Sequence, residues 1–413
     1  MLDSAIEKSL ADKSYFKDPY PLFREIRSQR PIFRSEVIGG WLLTRHEDCD
    51  AVLKDAECFS SKGRITHLLN QLGPEIQTDL ELLHFHFARG LAHSDAPEHR
   101  RLRGLLARAF TPKMIEGLRP RIREIVDSKV SQLNEECDLI SDLLTPVPAL
   151  VVGEFLGSTE NDIPDLIRWA HAINGLYEKG GRISAEKALH AEAMLGEMRE
   201  FVRSLVRDRK GMKSRGLLRG DEDVISALVA LDGDALTEEE LLSTAVTLFV
   251  AGHETTTHLL GNGWFALLNR PEIILQMRAT PELIENVVEE IARFDGSVPR
   301  SWRIAKREIE LSGVTIGAGE LVLPILAAAN RDPDVFSNPD LFAPDRDSRK
   351  HLAYGKGVHV CLGAPLARIE AQEIITSLIK RFQTIQLGVD PQTLLWREDL
   401  ALRGLQALPV RLR

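Results

Sequence analysis

The chain has 413 residues, 44% of them hydrophobic and 27% charged, with a formal net charge of −9. That acidity argues against nucleic acid or an anionic membrane as the main partner, and the length is enough for a large core enclosing a cavity. Four cysteines, Cys49, Cys58, Cys137 and Cys361, are too few and too scattered for a disulfide framework, and no CxxC pair offers a structural zinc spacing.

The opening residues MLDSAIEKSLADKSYFKDPYP carry charge throughout and hold no apolar run long enough for a signal sequence or a membrane span, so a cytoplasmic protein without a membrane anchor is expected. The N-terminal stretch mixes short helices with strand-like pieces such as 40–44. Residues 63–94 read as irregular, with an apolar cluster of Leu82, Leu83, Phe85, Phe87 and Leu91. From Pro97 to about Arg270 the apolar spacing is helical. The best-marked helix runs from Thr237 to Asn269: Thr237 and Glu240 form a capping box, Glu238 and Glu239 suit the positive end, and Pro271 stops it. At 1.5 Å per residue it is roughly 50 Å long, enough to cross the molecule. Its centre, Ala251-Gly252-His253-Glu254-Thr255-Thr256-Thr257, is poor helix material, which points to chemistry there. A strand-rich stretch over 303–323 contains turns at Ser312-Gly313 and Gly317-Ala318-Gly319, and 330–348 reads as an ordered meander. With no repeat and no clean boundary, residues 1–413 are expected to form a single, mainly α domain with small β-sheets.

Tyr354-Gly355-Lys356-Gly357-Val358-His359-Val360-Cys361-Leu362-Gly363 leads into a helix over 364–381. For a cysteine out of context an inert buried thiol is the ordinary reading. Here three glycines let backbone N–H groups approach the sulfur, which also sits near a positive helix end; both favour a thiolate. A soft anionic sulfur suits iron. His253-Glu254 and His258 resemble a zinc-protease HExxH, but the spacing is HExxxH, and five residues turn the helix by roughly 140°, so the two imidazoles do not share a metal on one face.

The cysteine loop resembles the haem loop of the cytochrome P-450 family, FGxGxHxCLG, with Tyr354 in place of the Phe. Glu290-Ile291-Ala292-Arg293 looks like the family's ExxR pair, and Arg346 stands where its third partner is expected. Asp95-Ala96-Pro97-Glu98-His99-Arg100-Arg101-Leu102-Arg103 resembles DPPxHxxxR, and Ala251 to Thr255 matches (A/G)Gx(D/E)T. The resemblance covers most of the chain in the family's order. It implies a cytochrome P-450-like fold with haem b between the long central helix and the loop, Cys361 being the ligand of the iron. It also implies that His99, Arg103, Arg303 and His359 bind the haem propionates, with Arg300 close enough to compete with Arg303. Thr255 would supply a hydroxyl beside dioxygen and Glu254 a proton relay.

The reaction so implied is reductive scission of O2, with one atom inserted into an apolar small molecule of terpenoid, steroid, fatty acid or macrolide type. Residues 63–94, Leu248, Ala251, Val298 and 398–404 would shape the substrate cavity. No flavin, iron–sulfur, reductase or ferredoxin segment is present in the sequence, so electrons are expected from an acidic ferredoxin or flavodoxin with its reductase, docking on Arg101, Arg108, Lys113 and Lys356. Two rival readings are a peroxide-driven peroxygenase, against which Glu254 and Thr255 argue, and a non-catalytic haem sensor or carrier, against which the lack of an output domain argues.

Overall fold

The computed structural model describes residues 2–177, 183–220, 223–231 and 236–413. Its axis is the helix Glu238–Leu268, which starts at the capping box read from sequence: Thr237 Oγ1 accepts from Glu240 N at 3.2 Å, and the Glu240 carboxylate accepts from Thr237 N at 2.9 Å. The helix is apolar on most sides because helices Pro146–Leu156, Ile163–Asn174, Ala185–Ser214, Leu283–Asp295 and Ala364–Arg381 all pack against it. Gly263 and Gly252 allow two of these approaches, since a β carbon at Gly263 would lie 2.7 Å from Ile291 Cδ1 and one at Gly252 would lie 2.9 Å from Val152 Cγ2.

Beside this helical body lies a five-stranded mixed sheet in the order Ile32–Ser35, Gly40–Leu43, Leu321–Pro324, Arg303–Ala305, Phe59–Ser60. Arg303 pairs with Val322 in this sheet, so its backbone position is set by strand register. Pro409–Leu412 pairs with Glu136–Asp138 and Ile385–Leu387, and Ile309–Leu311 forms a hairpin with Val314–Ile316. The hairpin turns at Ser312 and Gly313, both at positive φ (47° and 77°), as the tight two-residue turn requires. Residues 63–94 differ from the irregular reading. They form short helices Arg64–Leu69, Pro74–Gln77 and Glu81–Phe87. Pieces of fewer than two turns show no legible period and need outside partners; for Glu81–Phe87 the partner is Glu192, whose carboxylate accepts from Leu82 N and Leu83 N, each at 2.8 Å.

The meander is locked to the body by a buried charge network. Arg293 Nε and Nη2 donate to the two Glu290 carboxylate oxygens at 2.7 Å each, and neither side chain is exposed. Arg293 also donates to the carbonyls of Asn330, Pro339 and Leu341. Glu290 accepts from Ala343 N, Ser348 Oγ and Arg346 Nε at 2.8, 2.6 and 3.3 Å. Asn330 carries the restraint onward, its Oδ1 accepting from Leu352 N at 2.6 Å just ahead of the cysteine loop. Among the described residues no helix is long and apolar enough to cross a membrane.

Candidate active site

The loop before Cys361 needs its glycines. Gly355 and Gly357 both have φ of 69°, and a β carbon on Gly357 would lie 2.5 Å from Leu53 O. The chain then makes one tight turn over Gly357–His359, and Cys361 N donates to Tyr354 O at 2.8 Å. Cys361 is surrounded by protein, and the surface it exposes faces an internal cavity of about 500 Å³. Burial pushes its thiol above the ordinary value, opposed by the N–H groups of Gly363 and Ala364 and by the charges of Arg103 and Arg368. Desolvation therefore outweighs the loop's own dipoles, and a coordinating cation is what would hold this sulfur as a thiolate. Tyr354, at the loop's entry, lies under the Arg368 guanidinium at 4.5 Å, and its buried hydroxyl has no hydrogen-bond partner.

Among the nitrogen-bearing side chains that line the same cavity are His99, Arg103, Arg303 and His359. The rings of His99 and His359 lie 4.1 Å apart, and His99 Nε2 is buried without a partner. Burial, with His99, Arg303 and Arg103 adding to it and Asp95 opposing, lowers His359 to about 3. Burial lowers His99 as well, with Arg103 and Arg303 adding to the effect and Asp95 opposing it. Arg303 is pulled down to about 10 by burial, and its Nη1 reaches only Ser301 Oγ and Trp302 O at 3.1 and 2.7 Å. Groups that suppress one another's charge in this way are a seat for anions, and two carboxylates would relieve the repulsion. A soft sulfur at the end of one wall, with this basic cluster beside it, fits haem b and its two propionates. Arg300 lines the cavity too and is buried.

The opposite wall is the central helix. One stripe of it, Thr247, Leu248, Ala251, Gly252 and Thr255, retains surface, while the neighbouring His253, Glu254 and Thr256 are buried. The period of that stripe matches one helix face, and all five line the cavity with Cys361. Thr255 Oγ1 donates back to Ala251 O at 2.6 Å. Glu254 points elsewhere, into a second chamber of about 620 Å³ that also holds His171, His253, His258, Arg397 and Asp399. Its carboxylate meets His171 Nδ1 at 3.1 Å and Asn174 Nδ2 at 2.9 Å. Burial would raise Glu254, but His171, Arg397, His258 and His253 together hold it at about 2, an anion. His253 and His258 both border this chamber in spite of their rotation around the helix, because the chamber wraps the helix flank; no metal-binding cluster occurs among the described residues.

Leu248, Ala251, Val298, Ala401 and Leu402 line the main cavity, and His86, Phe87, Leu91, Ala92 and His93 come to it from the 63–94 segment. Sequence reasoning missed Glu370 and the partners of Glu254. Glu370 lines the cavity fully buried, burial raises its carboxyl well above the ordinary range, and one oxygen lacks a partner. The signal for it was a carboxylate on an apolar helix face nine residues past the cysteine. His171 and Asn174 carry no local signal, since only packing brings their helix to Glu254.

Comparison with known proteins agrees with this geometry. A family model described as Cytochrome P-450 matches residues 185–404. The chain is 36% identical over 412 residues to the cytochrome P-450 monooxygenase PikC of Streptomyces venezuelae, covering 97% of this chain and 92% of that one. It is 32% identical over 410 residues to the 6-deoxyerythronolide B hydroxylase of Saccharopolyspora erythraea, with 98% of each covered. Among solved structures, a myxobacterial enzyme, CYP267B1 in complex with myristic acid, superimposes with a TM-score of 0.85 at 31% identity, over 98% of this chain and 99% of the other.

Proposed function

The chain belongs to the cytochrome P-450 family and is a haem-thiolate monooxygenase with haem b as cofactor; from that premise we propose how its own residues divide the work. When bound, the haem activates dioxygen, so that one oxygen atom enters a C–H bond of the substrate and the other leaves as water. Cys361 would be the residue that ligates its iron. The observation that carries this assignment is the sulfur's exposure to an internal cavity whose far wall presents Thr255. His99, Arg103, Arg303 and His359 would hold the propionates, the two arginines gaining counter-charges and the two imidazoles hydrogen-bond acceptors.

Thr255 holds a proton-bearing hydroxyl at the cavity side of the helix. Glu254, kept anionic, collects protons from the polar chamber behind the same turn and passes them toward Thr255. A carboxylate and an alcohol on adjacent residues reach the two faces of the helix, one toward the polar chamber and one toward the cavity. Leu248, Ala251, Val152 and Phe155 exclude water from the substrate end and select an apolar molecule.

Cytochromes of this family draw electrons from redox partners. For this chain the donor is an acidic ferredoxin or flavodoxin with its reductase, docking on Arg108, Lys113 and Lys356; Arg108 and Lys113 are exposed. Arg101, also expected in this patch, pairs with Glu240, which offsets part of its charge. Charge reversal at Arg108 and Lys356 should slow reduction at low salt, and an unchanged rate removes this docking site. The ligand assignment is tested by the carbon monoxide difference spectrum of the reduced protein. The red-shifted band of a thiolate-bound haem is expected in the wild type and absent in Cys361→Ala; its survival in the variant defeats the assignment. Faster product formation with peroxide alone than with an electron donor would favour a peroxygenase.

A further inference from the structure

The half of the central helix before Ala251 places two threonines in the cavity wall, Thr244 and Thr247. They are three residues apart, on the face that continues through Ala251 to Thr255. A threonine inside a helix ordinarily donates to the carbonyl four residues earlier. Thr255, Thr256 and Thr257 do so, to Ala251, Gly252 and His253 at 2.6, 2.9 and 3.2 Å. Thr244 and Thr247 do not: both hydroxyls are buried, and neither has a hydrogen-bond partner, although Thr244 is only 2% exposed. Buried hydroxyls left unpaired destabilise a fold, so a pair of them on one cavity wall calls for a ligand that satisfies them.

A third polar group stands at the same level. His86, 1% exposed, lines the cavity, and its Nδ1 lies 3.2 Å from Arg199 Nη1. Arginine only donates, so Nδ1 accepts and the ring proton sits on Nε2. Arg199 also reaches Ser243, the residue before Thr244, at 3.5 Å, so His86 stands near the helix turn that carries the first threonine, and both line the cavity. The Arg199 charge is matched by Glu239. Burial, Arg199 and His93 hold His86 neutral, at about 3. Gly90 comes close from the covering segment: a β carbon there would lie 3.5 Å from Thr247 Oγ1. Phe87, Leu91 and Ile173 make the surrounding wall apolar.

We propose that Thr244, Thr247 and His86 form a subsite for an uncharged oxygen function of the substrate, a hydroxyl or carbonyl, at the end remote from the carbon that is oxidised. The proposal rests on the monooxygenase reading, in which Thr255 marks the reacting end. Thr247 and Thr244 precede Thr255 by eight and eleven residues, so the subsite lies about 12 to 16 Å from it along the helix. The substrate is thus an elongated amphiphile: an apolar body with one neutral polar end. None of the three groups carries a full charge, so a carboxylate placed there would lose its hydration without a counter-ion.

The test is calorimetric, on the haem-loaded protein, with 1-decanol, decane and decanoate as probes. Wild type should bind 1-decanol about ten-fold more tightly than decane or decanoate, the worth of one or two neutral hydrogen bonds. In the isosteric double variant Thr244→Val/Thr247→Val the advantage over decane should fall to about two-fold or less, with decane affinity itself little changed. His86→Phe is an independent arm and should also narrow the alcohol–alkane gap. Three results overturn the proposal: a wild type that does not favour the alcohol over the alkane, equal losses for both probes in the threonine variant, or decanoate bound more tightly than decanol. Calorimetry does not depend on the haem spectrum, so failure of the monooxygenase reading would show separately in the carbon monoxide difference band.

Discussion

Arg293→Ala should be among the most damaging single substitutions in the chain. The guanidinium makes five hydrogen bonds: two with Glu290, at 2.7 Å each, and three with the carbonyls of Asn330, Pro339 and Leu341. Removing one partner of a buried ion pair costs about 3–5 kcal/mol, mostly because the other charge is stranded. Glu290 would be stranded only in part, since Arg346, Ala343 N and Ser348 still donate to it. That places the ion-pair loss near the low end, and unpaired carbonyls add about 1 kcal/mol or more. The sum, about 4–5 kcal/mol, is a large share of the 5–15 kcal/mol typical of a folded domain. Equilibrium urea unfolding followed by far-ultraviolet circular dichroism measures it, with Arg293→Lys as the control that keeps the charge but not the fork. Adding Glu290→Gln to Arg293→Ala should not deepen the loss, because the stranded charge is gone. A loss below about 1 kcal/mol for Arg293→Ala would refute the claim that this network holds the meander.

Four further outcomes follow from the site. Glu254 falls from an ordinary 4.5 to about 2 on folding, so its stabilisation is complete above about 4.5 and is lost as pH falls toward about 2; Glu254→Gln should flatten that acid limb by about 3 kcal/mol in denaturant titrations. His253 and His258 are held neutral, at about 4 and about 3 against an ordinary 6.5, by burial above all, with Arg397 adding to the effect at His258. Their folded values are depressed, so stability is full above 6.5 and declines below it, and replacing either by a non-titrating residue should make the decline shallower. Thr255→Ala should keep oxygen consumption but divert it to hydrogen peroxide, read as the ratio of product to oxygen used; unchanged coupling contradicts the proton role. Tyr354→Phe removes a buried hydroxyl that has no partner and should raise unfolding stability by about 1 kcal/mol, whereas a loss of that size would reveal a partner for the hydroxyl.

Local signals explain which parts were legible in the sequence. The capping box at Thr237 and Glu240 and the Ser312-Gly313 turn depend on residues within three positions of one another, and both appear in the structure as read. Cys361 was legible because Gly355 and Gly357 occupy conformations and contacts that other residues do not tolerate. Residues 64–87 were not, because each helix there is too short to display a period and is held by a distant group such as Glu192. What the sequence did not show is the desolvation at Cys361: the N–H groups near the sulfur are a local property, but the burial that opposes them belongs to the whole fold. Likewise Glu254 could be named from its neighbours, while His171 and Asn174 could not.

The unusual centre of the long helix follows from what lies on its two sides. Ala251 and Thr255 are small or polar because they wall a cavity shared with Cys361, and Gly252 is bare because Val152 closes against it. Glu254 and His258, on the other flank, are charged or titratable because they border a chamber that Arg397 and Asp399 also enter. An ordinary core helix has one environment around it, and apolar residues satisfy that environment everywhere. This one separates a mainly apolar cavity from a polar chamber within a single turn, so adjacent residues must obey opposite rules. The low helix propensity of Gly252 through Thr257 is tolerated because five packed helices hold the segment in place. Thr255 and Glu254 are therefore neighbours in sequence and belong to different compartments.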